Sequence, residues 1–177
     1  MLTLDAKTSM LLVIDFQARL TPAIDGAEAA IANAGRLVRG AEILGVPTLY
    51  TEQYPKGLGH MVPELAPPTG ALIEKTTFDS TRAPGFIERL PKDHALVVTG
   101  CEAHICVLQT VLGLIDAGRR VYVAADAVGS RKAESKRFAL QRMARAGATL
   151  ATTEMVLFEW VGDARHPRFK DISALVK

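Results

Sequence analysis

Residues 97–110 have the sequence Val-Val-Thr-Gly-Cys-Glu-Ala-His-Ile-Cys-Val-Leu-Gln-Thr, which predicts a strand that turns sharply into a helix. An apolar run over residues 95–98 ends at Gly100, and apolar residues then recur with helical spacing at Ile105, Leu108, Leu112 and Ile115. Such a turn directs backbone N–H groups towards one point, and the helix dipole makes the first helical turn electropositive. Cys106 lies in that first turn, where the field favours a thiolate. We therefore predict that Cys106 is a nucleophile.

The composition predicts one folded domain and argues against several classes of protein. The chain has 177 residues, of which 49% are hydrophobic and 23% are charged, and its net charge is +2. This length fits a single domain over residues 1–177. The near-even charge argues against a nucleic-acid or anionic-membrane partner, and we interpret the basic stretch 131–145 as a solvated helix face. No segment has the ~18 apolar residues of a membrane span and the start lacks a secretory signal pattern, so we expect a cytoplasmic protein.

Apolar runs alternate with helical patterns along the chain. We predict strands over residues 10–15, 47–51, 71–74, 95–99, 120–125 and 148–152. We predict helices over residues 27–44, 86–90, 103–117, 132–145 and 153–159, and a last helix that ends near residue 176. Residues 52–68 are rich in Pro and Gly and are predicted to form a long loop. This alternation indicates an α/β fold built from βαβ units, with a mainly parallel, doubly wound sheet.

Asp15 and Lys75 each lie at the end of an apolar strand, and Cys106 lies just past the turn that follows another apolar strand. The carboxyl ends of neighbouring strands meet in a doubly wound sheet, so these side chains can converge. Asp15 can accept the thiol proton and later donate it to a leaving group. Lys75 can lower the pKa of the thiol through its positive charge. Backbone N–H groups between Glu102 and Cys106 can form an oxyanion hole.

Each of these residues also has a structural interpretation. A buried cysteine is commonly a small hydrophobe, an aspartate after a strand is commonly a cap or turn residue, and Lys75 fits an exposed surface position. The five-residue interval between Cys101 and Cys106 matches neither a CxxC motif nor a zinc site. Two alternatives therefore stay open: a non-catalytic binding or scaffold protein that retains the triad, and a thiol redox protein in which Cys101 resolves an oxidised Cys106.

Three stretches resemble the isochorismatase-like cysteine hydrolase family: residues 12–17 (Leu-Val-Ile-Asp-Phe-Gln), 75–78 (Lys-Thr-Thr-Phe) and 100–110. Residues 51–59 and 161–170 further resemble the subgroup of isochorismatase domain-containing proteins. The resemblance implies a three-layer α/β/α sandwich with a six-stranded parallel sheet, and homo-oligomers such as dimers or tetramers. It also implies an Asp-Lys-Cys catalytic triad.

In this sequence the resemblance assigns that triad to Asp15, Lys75 and Cys106. It implies a non-proline cis peptide at Cys101-Glu102, and an oxyanion hole made by the amides of Glu102 and Cys106. The sequence departs from the family at Ala103, where a threonine is frequent.

The resemblance also bears on metals and on the reaction. Nicotinamidases of the family bind a metal through an Asp-x-His pair, but residues 51–54 are Thr-Glu-Gln-Tyr and His60 has no partner imidazole. We therefore expect no metal, no cofactor and no nicotinamidase activity. Isochorismatase itself lacks the nucleophilic cysteine, so Cys106 argues against its vinyl-ether hydrolysis.

We predict a hydrolase that acts on the C–N bond of a small amide, or on a related acyl compound, with a small-molecule substrate. The pocket walls are predicted from their positions beside the triad: Phe16, Gln53, Tyr54, Phe78 and His104.

Overall fold

The framework of the fold is a six-stranded sheet in which all neighbouring strands are parallel; the computed structural model describes residues 2–177. In chain order the strands are β1 (Ser9–Ile14), β2 (Thr48–Gln53), β3 (Leu72–Lys75), β4 (Ala95–Cys101), β5 (Val121–Gly129) and β6 (Thr149–Ala151). Their order across the sheet is β3-β2-β1-β4-β5-β6. The winding reverses between β1 and β4, and this reversal opens a crevice at the carboxyl ends of those two strands.

Helices cover both faces of the sheet. Within residues 2–177 the α-helices are α1 (Ala27–Leu44), α2 (Pro55–Leu58), α3 (Leu108–Asp116), α4 (Ala133–Ala146), α5 (Thr153–Val161) and α6 (Phe169–Leu175). Buried side chains of α1, α5 and α6 pack on one face, and those of α3 and α4 pack on the other. The prediction of a three-layer α/β/α sandwich with a doubly wound, six-stranded parallel sheet is confirmed.

The central strand β1 explains why two hydrophobic cores form. All six of its residues are buried, as is typical of a parallel strand covered on both sides. Leu11 and Val13 join the core beneath α1, whereas Leu12 and Ile14 join the core beneath α3. Burying each such side chain contributes about 1.5–3 kcal/mol. Within residues 2–177 no helix combines the length and the hydropathy that crossing a bilayer requires.

Several predicted boundaries agree with the structure because glycines mark them. Helix α1 begins and ends where predicted, and it ends at Gly45, whose φ of 72° suits a residue without Cβ. Residues 52–68 differ from the predicted loop, because they include the end of β2, the short helix α2 and the 3₁₀ turn Pro63–Leu65.

The predicted helix over residues 103–117 is divided into a π-helical turn, Ala103–Val107, and the α-helix α3. Strand β4 also continues past Gly100 to Cys101. Gly100 makes this possible, because its φ is 149° and a Cβ there would collide with the backbone oxygen of Ile14.

Candidate active site

Asp15 lies directly after the central strand and faces its neighbours on β2 and β3. Its φ is 51°, a left-handed conformation that aspartate tolerates better than most residues. Its N–H donates to the backbone oxygen of Thr51 at 3.1 Å. The Thr51 hydroxyl donates to Asp15 Oδ1 at 2.7 Å, and Lys75 Nζ donates to Asp15 Oδ2 at 2.6 Å. Both carboxylate oxygens therefore have a donor inside the protein.

Lys75 reaches Asp15 from the last residue of β3, two strands away. Parallel register places Gln53 of β2 beside Lys75, and Gln53 Oε1 accepts a second hydrogen bond from Lys75 Nζ at 2.8 Å. The side chains of Lys75 and Asp15 are both 0% exposed. Removing one partner of such a buried pair leaves an uncompensated charge, which typically costs 3–5 kcal/mol. The pair is therefore a fixed part of the site.

Cys106 completes the cluster from the π-helical turn. The Asp15 carboxylate lies within hydrogen-bonding reach of the Cys106 thiol, and Lys75 is close enough to act on it electrostatically. Burial raises the pKa of the thiol far above its usual value, Asp15 raises it further, and Lys75 opposes the shift. The predicted thiolate is therefore wrong for the resting site: desolvation and the adjacent carboxylate outweigh the helix dipole and the lysine. The resting arrangement is a neutral thiol beside a carboxylate that can accept its proton.

The turn between β4 and Cys106 is held by the chain after β5. The Cys101-Glu102 peptide is cis, as the resemblance implied. The buried Glu102 carboxylate accepts hydrogen bonds from Arg131 N at 2.9 Å and from Arg131 Nε at 3.0 Å. His104 Nδ1 lies 3.0 Å from Ser130 Oγ. Two neighbouring residues after β5 thus anchor the turn that carries the predicted oxyanion-hole amides.

A cavity of about 340 Å³ opens beside Lys75 and is lined by Tyr54, Pro55, Thr76, Thr77 and Ala83, among others. Of the five predicted wall residues, Tyr54 lines this cavity. Phe78 lines a neighbouring cavity of about 590 Å³ that shares Thr77 with the first.

The other three predicted walls lie elsewhere. Phe16 is fully buried in the hydrophobic core beneath α1, because the left-handed turn at Asp15 directs it inwards. Gln53 holds Lys75, and His104 contacts Ser130. None of the three lines either of the two cavities, whose linings also lack Asp15 and Cys106, so their assignment as walls of the substrate pocket stays a prediction.

The region in which nicotinamidases bind their metal has different chemistry here. The Glu52 carboxylate is buried, accepts the N–H of Met61 at 2.6 Å and lies 3.0 Å from His60 Nδ1. These contacts hold the segment after α2 on the sheet. Among residues 2–177 no group of three or more His, Cys, Asp or Glu side chains is arranged to hold a metal ion.

The sequence alone did not identify Thr51, and it identified Gln53 as a pocket wall and not as a partner of Lys75. Thr51 and Gln53 are two residues apart on a buried strand and therefore share one face. Polar side chains in a buried strand need hydrogen-bond partners. This signal is present in the sequence, but the partner of Thr51 depends on the register of β2 against β1, and that of Gln53 on the register of β2 against β3.

The family model for the isochorismatase domain matches residues 9–155, which is most of the chain. The chain belongs to the isochorismatase family. It is 40% identical over 174 residues to isochorismatase domain-containing protein 1 of Salmo salar, covering 96% of this chain and 61% of that protein. It is 38% identical over 175 residues to isochorismatase domain-containing protein 2 of Danio rerio, covering 98% of this chain and 89% of that protein.

The same fold occurs in a solved structure described as the MAR1 ribonuclease of Caenorhabditis elegans. The TM-score is 0.93 at 38% identity, and the match covers 98% of this chain and 92% of that one. The predicted family resemblance is thus confirmed. The chain spans 61% of the length of isochorismatase domain-containing protein 1 from Salmo salar and 62% of the length of the same protein from Danio rerio.

Proposed function

We propose that this isochorismatase-family protein is a cysteine hydrolase that cleaves the C–N bond of a small amide or splits a related acyl compound. The observation that carries the proposal is the buried Asp15–Lys75 pair, with the Cys106 thiol within hydrogen-bonding reach of the carboxylate. A cavity of about 340 Å³ beside Lys75 supports a small-molecule substrate.

In the first step the Cys106 sulfur attacks the carbonyl carbon while its proton passes to Asp15. Because burial disfavours a free thiolate, the proton leaves as the carbon–sulfur bond forms. Lys75 stabilises the negative charge that the carboxylate and sulfur share. The amides of Glu102 and Cys106 donate to the developing oxyanion.

The tetrahedral intermediate then collapses and breaks the C–N bond. Asp15 donates its proton to the leaving amine, so a thioester remains on Cys106. Water attacks this thioester with Asp15 as general base, which releases the acid and restores the neutral thiol. The cycle uses side chains and backbone amides of the chain and needs no metal or cofactor.

We also propose that residues 1–177 act as one domain in a cytoplasmic homo-oligomer, either a dimer or a tetramer. Exposed apolar side chains on both sides of the sheet support self-association: Phe138 on α4 on one side, and Met155 and Phe158 on α5 on the other. Light scattering coupled to size exclusion measures the assembly, and a monomer at all concentrations would contradict it.

The experiment that tests the proposal is a hydrolysis screen of the full chain with a panel of small primary and N-substituted amides. Cys106→Ala is the test variant, and Cys101→Ala is the matched control. We expect Cys106→Ala to abolish turnover and Cys101→Ala to retain it. Full turnover by Cys106→Ala would overturn the proposal.

The screen includes single-stranded RNA, because the Caenorhabditis elegans relative bears the name ribonuclease. RNA cleavage that depends on Cys106, without hydrolysis of any amide, would contradict the small-amide substrate class. A binding or scaffold protein would bind panel compounds without hydrolysing any of them. Slow alkylation of Cys106 does not separate these cases, because a buried neutral thiol reacts slowly in all of them.

A further inference from the structure

The buried strand β2 carries polar side chains at positions 51 and 53, on the face of the sheet that also carries Leu49 and Cys106. Leu49 and Cys106 belong to the same hydrophobic cluster, and residues two apart on a strand share a face. Thr51 is 1% exposed and Gln53 is 8% exposed. Polar groups at such positions are costly unless they are hydrogen-bonded, so their partners show what they do.

We propose that Thr51 is a positioning residue for the proposed hydrolysis, because its hydroxyl holds the Asp15 carboxylate in the orientation that faces both Lys75 and Cys106. The inference rests on the proposed function. An ionised carboxylate only accepts hydrogen bonds, so Thr51 Oγ1 is the donor in its 2.7 Å bond to Asp15 Oδ1.

The geometry explains why one donor is insufficient. The terminal torsion of an aspartate is broad, so a carboxylate held at a single oxygen can rotate about that contact. Lys75 holds Oδ2 at 2.6 Å from β3, and Thr51 holds Oδ1 from β2. Two donors on two different strands fix the plane of the carboxylate, and a fixed plane keeps it directed at the thiol.

Gln53 performs the corresponding task for the lysine. Its Oε1 accepts from Lys75 Nζ at 2.8 Å, while its Nε2 donates to the backbone oxygen of Thr76 at 2.7 Å. The backbone N–H of Gln53 donates to Gln17 Oε1 at 2.7 Å. With Asp15 and Gln53 as acceptors, the ammonium group of Lys75 is held from two sides. Strand β2 thus orients both members of the charged pair.

The test compares Thr51→Val, Thr51→Ser and a control variant, Thr110→Val. Valine keeps the shape of the side chain and removes the donor, whereas serine keeps the donor and loses a methyl group. Thr110 is a buried threonine that is hydrogen-bonded to Ser80 outside the site, so Thr110→Val measures the effect of removing a buried hydroxyl as such.

We expect Thr51→Val to lower kcat about 10- to 100-fold while KM changes by less than about threefold, because the positions of the reacting groups change and the cavity does not. Thr51→Ser restores kcat to within about threefold of the parent, and Thr110→Val leaves it unchanged. A kcat for Thr51→Val within about twofold of the parent would overturn the inference. A folded Thr51→Ser protein with no better turnover than Thr51→Val would also overturn it.

A second measurement does not depend on turnover. The rate of iodoacetamide labelling of Cys106 is measured at one pH near 8. We expect a higher rate in Thr51→Val than in the parent, because the carboxylate is no longer held against the thiol, and an unchanged rate in Thr51→Ser and Thr110→Val. A parental rate in Thr51→Val contradicts the inference even if no substrate is found. Full turnover by Cys106→Ala, by contrast, refutes the proposed function and not the positioning.

Discussion

Cys101 and Cys106 are five residues apart and both are buried, yet their surroundings differ in the feature that matters for chemistry. Burial is the largest cause of a raised pKa at both thiols. Cys106 has the Asp15 carboxylate within hydrogen-bonding reach, whereas the hydrogen bond at Cys101 comes from the backbone of Gly129. A proton can therefore leave Cys106 for a nearby acceptor. A proton acceptor within hydrogen-bonding reach, and not burial or sequence spacing, therefore distinguishes the proposed nucleophile.

The two thiols also lie in different cores. Cys101 belongs to the hydrophobic cluster beneath α1, and Cys106 belongs to the cluster beneath α3. Side-chain alternation along β4 places Cys101 on the same face as Val97, whereas Cys106 lies in the turn after the strand and belongs to the cluster of Val98. This placement disfavours the redox alternative, in which the two sulfurs must meet.

The largest expected effect comes from removing the acceptor. We predict that Asp15→Asn lowers turnover about 10³-fold, because the thiol loses its general base. The same change raises the rate at which iodoacetamide alkylates Cys106 near pH 8, because Asp15 raises the pKa of that thiol. Labelling of Cys101 stays negligible. Steady-state assays and mass-resolved labelling measure the two effects, with the exposed Asp93→Asn as control.

Lys75→Met differs from Asp15→Asn because we expect it to lower both the rate of turnover and the rate of Cys106 alkylation. Lys75 lowers the pKa of the Cys106 thiol, so its loss slows alkylation as well as turnover. If Asp15→Asn slowed alkylation as Lys75→Met does, the carboxylate would not be the group that keeps the thiol neutral.

A smaller effect concerns stability at alkaline pH. Burial raises the pKa of Cys101 from 9.0 to about 12, so the folded state holds that proton more tightly than the unfolded state does. The contribution of the protonated Cys101 thiol to the free energy of unfolding is fully present below pH 9.0 and is lost as the pH rises towards about 12. From pH 9 to pH 11 the loss due to Cys101 is about 2–3 kcal/mol.

Urea unfolding of the parent and Cys101→Ala across this pH range isolates that contribution. The variant is expected to lose less stability than the parent. Burial raises the pKa of Tyr50 to about 12, but Tyr50 titrates in both proteins. Equal losses would show that Cys101 is not held neutral by its core.

The smallest expected effect is the response to mild peroxide. We predict no disulfide between Cys101 and Cys106, because their side chains lie on opposite faces of the sheet. Both cysteines lie between Lys92 and Arg119, so one tryptic peptide carries them. A loss of two hydrogens from that peptide under non-reducing conditions would reinstate the redox alternative.

Much of the fold could be predicted from the sequence because local signals agreed with the tertiary structure. Helix α1 is bounded by glycines, and the buried strand β1 is an apolar run over residues 10–14 that is followed by Asp15. Asp15 and Lys75 could be paired in advance, because the carboxyl ends of parallel strands meet.

The rest depends on contacts that only the folded chain creates. The role of Gln53 follows from the register between β2 and β3, and the core position of Phe16 follows from the left-handed turn at Asp15. The raised pKa of Cys106 follows from burial and from the carboxylate brought to it across the sheet. Neither cause is visible in the local pattern of residues 97–110.

The thioester proposed on Cys106 is tested directly by the intact mass of the protein, quenched during turnover of a small activated acyl compound such as p-nitrophenyl acetate. We predict that Cys101→Ala gains the mass of the acyl group and that Cys106→Ala does not, because the thioester forms on Cys106. An equal gain in Cys106→Ala, or hydrolysis by that variant at the parental rate, would show that Cys106 is not the nucleophile.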